Sequence, residues 1–212
     1  MTVYFGEQSS ADWGLKLYDF QISQPEPQTA YVDVPFRDGQ LDFSTALTDG
    51  IVRYKNRTLT MGFDILGNWS QWLTAISQIN NALLGQRVRI RTQMDEEYYY
   101  LGRCSVSSAK ESLAIGSITV TATCDPYKYK LTPTVKEFDV SGSLSVSLQN
   151  DRMPTVPTVT TDGEITIQFG ESTIVFPAGT RRAPALLLLE GNNPMILTGT
   201  GHIKFEYQEG SL

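Results

Sequence analysis

The sequence predicts a mainly β protein in which a single helix interrupts a series of strands. Three observations lead to this prediction. Apolar and polar residues alternate along most of the 212-residue chain, and a period of two is typical of strands with one buried face. A helical period occurs in one segment only. Prolines punctuate short strands after residue 129, which indicates a second, smaller β domain.

The clearest strand is predicted at residues 117–124. Its apolar face consists of Ile118, Val120, Ala122 and Cys124, and serine and threonine occupy the other face. The same alternation predicts strands at 15–22, 87–91, 143–148 and 164–169. Each is expected to place one face on a core and the other in water.

A helix is predicted at residues 68–85. The apolar positions that form its stripe are Trp69, Trp72, Leu73, Ile76, Ile79 and Leu83. These spacings of three and four residues bring apolar side chains to one face of a helix. Asn68 is placed as the N-cap and Gly85 as the residue after the last turn. We expect the helix to pack on a sheet; anchoring to a surface is the alternative.

Composition changes near residues 131–134, where we place a domain boundary. All three tryptophans and both cysteines lie before it. The predicted domains are therefore 1–132 and 133–212, and the second is interpreted as a small β-sandwich.

Charge and apolar runs limit the possible partners. The formal net charge is −6, which is the wrong sign for a protein that neutralises phosphates, so no specific nucleic-acid binding is expected. The longest apolar run, 185–189, is far shorter than the roughly 20 residues that cross a bilayer. The first ten residues show no secretory signal. We expect a soluble protein made in a cytoplasm.

The two cysteines, Cys104 and Cys124, are predicted in adjacent strands of a hairpin that turns near residues 109–113. That register places Cys104 near Ile118 and Cys124 near Tyr98, so the thiols are not cross-strand partners. We expect both to be reduced and half-buried. A disulfide is the alternative.

The residues with reactive side chains form no known catalytic pattern. His202 is interpreted as an ordinary strand-end residue, because no G-x-S-x-G elbow accompanies it to make it the base of a serine. The acidic run 95–97 is interpreted as a solvated hairpin turn between strands, with a calcium site as the alternative. No catalytic, cofactor-binding or metal-binding residue is assigned, and the protein is not expected to be an enzyme.

Three consecutive tyrosines occupy residues 98–100. In a strand, Tyr98 and Tyr100 share one face and Tyr99 lies on the other. We expect a hairpin with one tyrosine in the core. A stacking platform for sugars or bases and a subunit interface are the alternatives.

Several segments, taken in order, resemble the distal tail protein family of siphophages that infect Gram-positive bacteria. They are residues 49–59 (DGIVRYKNRTL), the start of the predicted helix at 69–73 (WSQWL) and the strand end at 124–129 (CDPYKY). The resemblance covers most of residues 1–130.

The resemblance implies a two-domain hub at the virion tail tip. Domain 1–132 would form a hexameric ring that continues the tail tube, and domain 133–212 would be an outward galectin-like β-sandwich. The ring would join the tail tube to the tail-associated protein and to receptor-binding proteins, after assembly in the bacterial host cytoplasm. It implies no cofactor and no site residues.

Two further hypotheses remain open. Arg53, Lys55 and Arg57 alternate along a predicted strand, so their shared face would pair with acidic residues of a neighbouring subunit or be merely solvated. The alternative function is a carbohydrate-binding module whose C-terminal sandwich recognises host-surface glycan. The aromatic residues of that domain, predicted to fill its core, are Phe138, Phe169, Phe176, Phe205 and Tyr207. A glycosidase is a third possibility.

Overall fold

The computed structural model describes residues 1–66, 69–110 and 115–212. The chain folds into two compact units, Met1–Pro126 and Tyr127–Leu212. Within the described residues, every strand pairing in each unit is antiparallel. The mainly β fold predicted from the sequence is confirmed.

The first unit contains nine strands and one helix among its described residues. In chain order they are β1 (Val3–Phe5), β2 (Gln8–Ser9), β3 (Lys16–Ile22), β4 (Tyr31–Asp33), β5 (Gln40–Asp42), β6 (Arg57–Leu66), α1 (Trp69–Leu83), β7 (Arg87–Thr92), β8 (Asp95–Lys110) and β9 (Ile115–Cys124). The main sheet has the order β2-β1-β7-β8-β9-β6-β3. Strands β4 and β5 form a separate hairpin.

The core of the first unit lies on the apolar faces of the central strands. On β9, the predicted face is confirmed: Ile118, Val120, Ala122 and Cys124 are all fully buried. On β6, the side chains of Leu59, Met61 and Phe63 are also fully buried and lie in the same cluster. This alternation is what a sheet with one covered face requires.

Helix α1 covers part of this core and largely follows the prediction. Trp72, Ile79 and Leu83 are buried in the cluster, whereas Leu73 is 55% exposed. The placement of Leu73 in the stripe was wrong, because it lies about 100° around the helix from Trp72.

The two predicted ends of the helix have different outcomes. Gly85 has φ of +73°, the left-handed conformation of a residue that ends a helix, so this prediction is confirmed. The predicted N-cap, Asn68, lies outside the described residues.

The second unit contains eight strands. They are β10 (Lys128–Lys130), β11 (Thr134–Asn150), β12 (Thr158–Thr161), β13 (Ile165–Phe169), β14 (Ser172–Phe176), β15 (Gly179–Arg181), β16 (Gly191–Tyr207) and β17 (Gly210–Ser211). Strands β11 and β16 pair along their whole lengths, from Thr134 opposite Tyr207 to Asn150 opposite Gly191.

The β11–β16 ribbon changes its neighbour halfway along. Strand β13 pairs with β16 up to Gly199, and β12 pairs with β16 from Ile203 onward. Gly199 has φ of +142°, and a Cβ there would lie 2.5 Å from the carbonyl oxygen of Glu164. Only glycine suits this position, where the ribbon passes from one neighbour to the next.

Residues 127–132, which the sequence analysis assigned to the first domain, lie in the second unit. The reason is strand β10: Lys128 pairs with Ser211 and Tyr129 with Gly210. The proline at position 133 suggested an interruption there, but the chain already belongs to the second unit before it. Among the described residues, no helix is long and apolar enough to cross a membrane.

Candidate interaction surfaces

An arm formed by residues 23–56 joins β3 to β6 and has no core of its own. None of its residues is buried. Its base is a narrow ribbon in which the Gln28 amide donates to the Arg53 carbonyl at 2.8 Å, and the Lys55 ammonium lies 3.1 Å from the Glu26 carboxylate. The hairpin β4–β5 lies towards its tip.

The arm presents large apolar side chains to solvent. They are Tyr31, Val32, Phe36, Phe43, Leu47 and Val52. Phe36 and Leu47 have essentially all of their surface exposed, at 108% and 98%. Phe36 also has φ of +64°, a conformation that is strained for a bulky residue. Apolar exposure on this scale is typical of a surface that a partner covers.

The predicted basic strand face of Arg53, Lys55 and Arg57 is not formed. Strand β6 begins at Arg57, and the preceding residues belong to the arm. Arg53 and Lys55 are exposed, whereas Arg57 is 3% exposed. Arg57 takes the core side because it continues the alternation of the buried β6 residues.

The buried Arg57 side chain lies against an aromatic ring. Its guanidinium carbon is 5.5 Å from the centre of the Tyr100 ring, a cation–π distance. Its Nε and Nη2 atoms have no hydrogen-bond partner within the described part of the chain. This arginine was not singled out as a buried residue by the sequence, because its neighbours suggested a polar face.

Strand β7 carries a row of arginines on the face opposite the core, which we call the arginine face: Arg87, Arg89 and Arg91. Arg89 lies 4.9 Å from the ring centre of Tyr99, and Arg91 lies 4.9 Å from that of Tyr4. Arg87 forms a two-fold hydrogen bond with the carboxylate of Asp125, at 2.6 and 2.8 Å. The aromatic and carboxylate partners hold these guanidinium groups in place.

The tyrosine run differs from its prediction in one respect. Tyr100 lies in the core, as expected, but Tyr99 on the opposite face is equally buried, with 7% of each residue exposed. Arg89 covers the Tyr99 ring, which explains its burial outside the core. The prediction of one tyrosine in the core is therefore confirmed by Tyr100, and Tyr99 is a second buried ring outside the core.

The acidic run 95–97 is not a turn. Thr92 pairs with Asp95, so the hairpin loop is the two residues Gln93 and Met94 and the acidic residues begin β8. Within the described residues, no group of three or more histidine, cysteine, aspartate or glutamate side chains is placed to hold a metal ion.

The cysteines are free, as predicted, but their predicted register was wrong. Cys104 lies opposite Ala122, and Cys124 lies opposite Gly102, whereas the predicted turn placed them near Ile118 and Tyr98. Both cysteines are buried rather than half-buried. Burial raises the pKa of the Cys104 thiol to about 11 and that of Cys124 to about 12. Both remain neutral thiols near pH 7.

His202 is not at a strand end; it lies within β16, opposite Asp139 on β11. Its Nδ1 atom is 2.9 Å from an oxygen of Asp139. This hydrogen bond raises the pKa of the His202 imidazole, and nearby carboxylates add to the effect. The site is on the surface and has no serine among the partners that the structure gives for the ring, so the arrangement is an ion pair on a sheet face.

The aromatic residues of 133–212 pack inside the second unit, as predicted. Phe176, Phe205 and Tyr207 are buried in its core, and Phe138 and Phe169 pack against that core. None of these five rings offers the exposed platform that sugar binding by this domain would need.

The sequence matches no protein-family model and no curated protein at a significant level. The structure, in contrast, is similar to the crystal structure of the SPP1 Dit (gp 19.1) protein, described as a paradigm of the hub adsorption apparatus in phages that infect Gram-positive bacteria. The TM-score is 0.69 at 16% sequence identity, and the match covers 100% of this chain and 99% of that chain. The chain therefore has the fold of SPP1 Dit along its whole length, which confirms the resemblance found in the sequence.

Proposed function

We propose that the protein is a structural component of a phage tail tip, in which six copies form a ring that links the tail tube to the tail-associated and receptor-binding proteins. The observation that carries this proposal is the fold shared with the SPP1 hub protein over the full length of both chains. The protein would be assembled in the bacterial host cytoplasm and act in the virion, without a catalytic step.

The arm, residues 23–56, supports a role in assembly. Ordering a segment costs roughly 1–2 kcal/mol of backbone entropy per residue, which burial of apolar surface normally offsets. The arm buries none of its residues, so its own chain supplies little of that compensation. Contact with another copy would cover Phe36 and Leu47 and supply the missing burial.

The charges of the first unit suit a ring. The acidic residues of the arm are Glu26, Asp33, Asp38, Asp42 and Asp49, and its basic residues are Arg37, Arg53 and Lys55. The arm is thus net acidic, whereas the arginine face on β7 is basic. Two different, complementary surfaces on one chain are what a heterologous interface requires, and such an interface forms a ring where the rotation between successive copies closes.

The net charge of −6 supports a conduit that does not bind DNA, because such a surface releases few counterions on contact with phosphates. The alternative, a carbohydrate-binding C-terminal sandwich, has less support, since three aromatic rings of 133–212 are buried in the core and the other two pack against it.

Light scattering coupled to size exclusion, with negative-stain microscopy, tests the ring. We expect a species six times the 23.6 kDa chain mass and ring-shaped particles at high concentration. Phe36→Asp combined with Leu47→Asp should leave the fold intact and shift the protein to monomer, because both side chains are fully exposed.

Leu189→Asp is the matched control, since it introduces a charge at an exposed leucine of the second unit and should keep the ring. A wild-type chain that stays monomeric at every concentration and forms no rings would contradict the proposal.

A further inference from the structure

We propose that a groove beside α1 in the first unit binds a neutral carbohydrate, with the indole of Trp13 as its stacking surface. The groove has a volume of about 610 Å³, which is within the range of small-ligand sites. It is lined by Gln8, Asp12, Trp13, Gln78, Asn81 and Ala82. This site is independent of the proposed assembly role.

The Trp13 indole is held in place from behind. Its ring centre lies 6.0 Å from that of Phe5, with the planes tilted by 39°, and it packs against the core of the first unit. The indole nevertheless remains partly exposed and lines the groove. On the helix side, the small side chain of Ala82 lines the same groove and leaves space beside the ring.

The turn that carries Trp13 is held by hydrogen bonds within the chain. The Ser9 amide donates to Asp12 Oδ2 at 2.8 Å, and the Asp12 amide donates to the Ser9 hydroxyl at 3.3 Å. The Val3 amide donates to the buried Ser10 hydroxyl at 3.1 Å. Gly14 closes the turn with φ of +68°. A preorganised site loses little conformational entropy on binding.

Polar groups around the indole can bind hydroxyls. Gln78 and Asn81 are exposed on α1 and, being three residues apart, project from the same side of the helix. Their carboxamides both donate and accept hydrogen bonds, as does that of Gln8. Hydrogen bonds from Ser9 lower the pKa of Asp12, so its carboxylate is an acceptor at neutral pH.

The indole and the polar groups around it together favour one class of ligand. Amide and carboxylate groups beside an aromatic face match a sugar ring, whose C–H groups contact the indole while its hydroxyls bond to the polar groups. The lining contains the Asp12 carboxylate and no basic side chain, which disfavours anionic ligands. An apolar ligand would leave the polar groups unpaired.

Calorimetric titration of the full chain with soluble oligosaccharides of glucose, galactose and N-acetylglucosamine tests the proposal. We expect at least one of them to bind saturably, with a dissociation constant of about 10⁻⁴ to 10⁻³ M for such a shallow site. Trp13→Ala should abolish binding. Because Trp13 also packs on the core, the decisive variant is Gln78→Ala combined with Asn81→Ala, which changes exposed groups and should weaken binding about tenfold.

Gln86→Ala is the control, because it removes an exposed carboxamide just beyond α1 and outside the groove; it should bind as the wild type does. Two results would overturn the proposal. One is the absence of binding by every oligosaccharide at about 10 mM. The other is unchanged affinity in the Gln78 and Asn81 double variant, which would place any sugar site elsewhere.

Discussion

The Cys124 thiol occupies the space above Gly102 on the neighbouring strand. A Cβ built on Gly102 would lie 2.3 Å from the sulfur and 3.0 Å from the carbonyl oxygen of Thr123. A real Cβ cannot approach that closely, so the absence of a side chain at 102 is what lets Cys124 pack in the core.

Gly102→Ala is expected to lower the free energy of unfolding by about 1–3 kcal/mol through overpacking. Cys124→Ala alone should cost about 1 kcal/mol for the lost buried sulfur. The double variant should lose less than the sum of the two, because removal of the sulfur makes room for the new methyl group. Urea denaturation measures all three; strictly additive losses would show that the Thr123 backbone, and not the thiol, is the obstacle.

The ion pair of His202 and Asp139 gives the second unit a pH-dependent contribution to stability. The hydrogen bond that the imidazole donates to Asp139, with Glu137 and Asp162 nearby, raises the pKa of the imidazole above its ordinary 6.5. A raised pKa in the folded state means that protonation favours folding. The contribution is therefore complete below pH 6.5 and is lost as the pH rises through the folded-state pKa.

His202→Gln should flatten the dependence of the urea midpoint on pH between about pH 5.5 and pH 8, where histidine titrates. Asp139→Asn should have the same effect, because the neutral amide lacks the negative charge that favours the protonated imidazole. Both groups are on the surface, so a small change is expected. If both variants keep the wild-type slope, other groups cause the pH dependence.

At the scale of elements, helix α1 shows which structural features a sequence pattern can predict. Its extent and its C-terminal glycine were predictable because the helical period and the left-handed Gly85 are local properties. The exact direction of the buried face was not, since apolar residues such as Leu73 and Leu84 border the stripe. Which of them is covered depends on where the sheet lies, and that is set by distant residues.

Two adjacent leucines at the end of α1 provide a matched test of this face. Leu83 is 1% exposed and Leu84 is 51% exposed. Leu83→Ala is expected to reduce the free energy of unfolding by about 2–5 kcal/mol, because it leaves a cavity in the core. Leu84→Ala should change it by less than about 0.5 kcal/mol. Equal losses in thermal or urea denaturation would mean that the helix is rotated from the described position.

The strands show the same contrast between features that the local sequence predicts and features that it does not. The alternation in 117–124 correctly predicted which residues face the core, because one period of two is enough to assign a face. The register of β8 against β9 was wrong, since it depends on where the hairpin closes and not on the alternation. The run at 95–97 was wrongly assigned to a turn because the position of the hairpin loop was also missed. That loop is Gln93 and Met94, and neither residue is the glycine that typically marks a two-residue loop.

At the scale of the whole molecule, the arm was the feature least accessible to sequence reasoning. Arg53 and Lys55 of the arm alternate with Arg57, which suggested one continuous strand. A strand needs a neighbour, however, and the pairing of this segment with β9 begins only at Arg57. The absence of an active site, in contrast, was an expectation that rested on residue types alone. The family resemblance depended on the order of short segments, and the fold similarity agrees with it.

A buried carboxylate, that of Glu209, joins the residues before Pro133 to the second unit. Glu209 is 4% exposed and accepts hydrogen bonds from the Lys130 ammonium at 2.8 Å, from the Asp151 amide at 3.1 Å and from the Thr134 hydroxyl. The Lys130 amide also donates to the Glu209 carbonyl at 3.0 Å. Lys130 thus belongs to the second unit through both its backbone and its charge.

A fragment of residues 127–212 is therefore expected to fold as a monomer and to be more stable than a fragment of residues 134–212. The shorter fragment lacks β10 and leaves Glu209 buried without its lysine, and an unpaired buried charge of this kind typically costs about 3–5 kcal/mol. Lys130→Met in the longer fragment should reproduce much of that loss, whereas Lys136→Met, at an exposed position of β11, should not. Urea denaturation followed by circular dichroism measures each difference. Equal stability of the two fragments would show that the unit begins at residue 133, as the sequence alone suggested, and that the strand before it is dispensable.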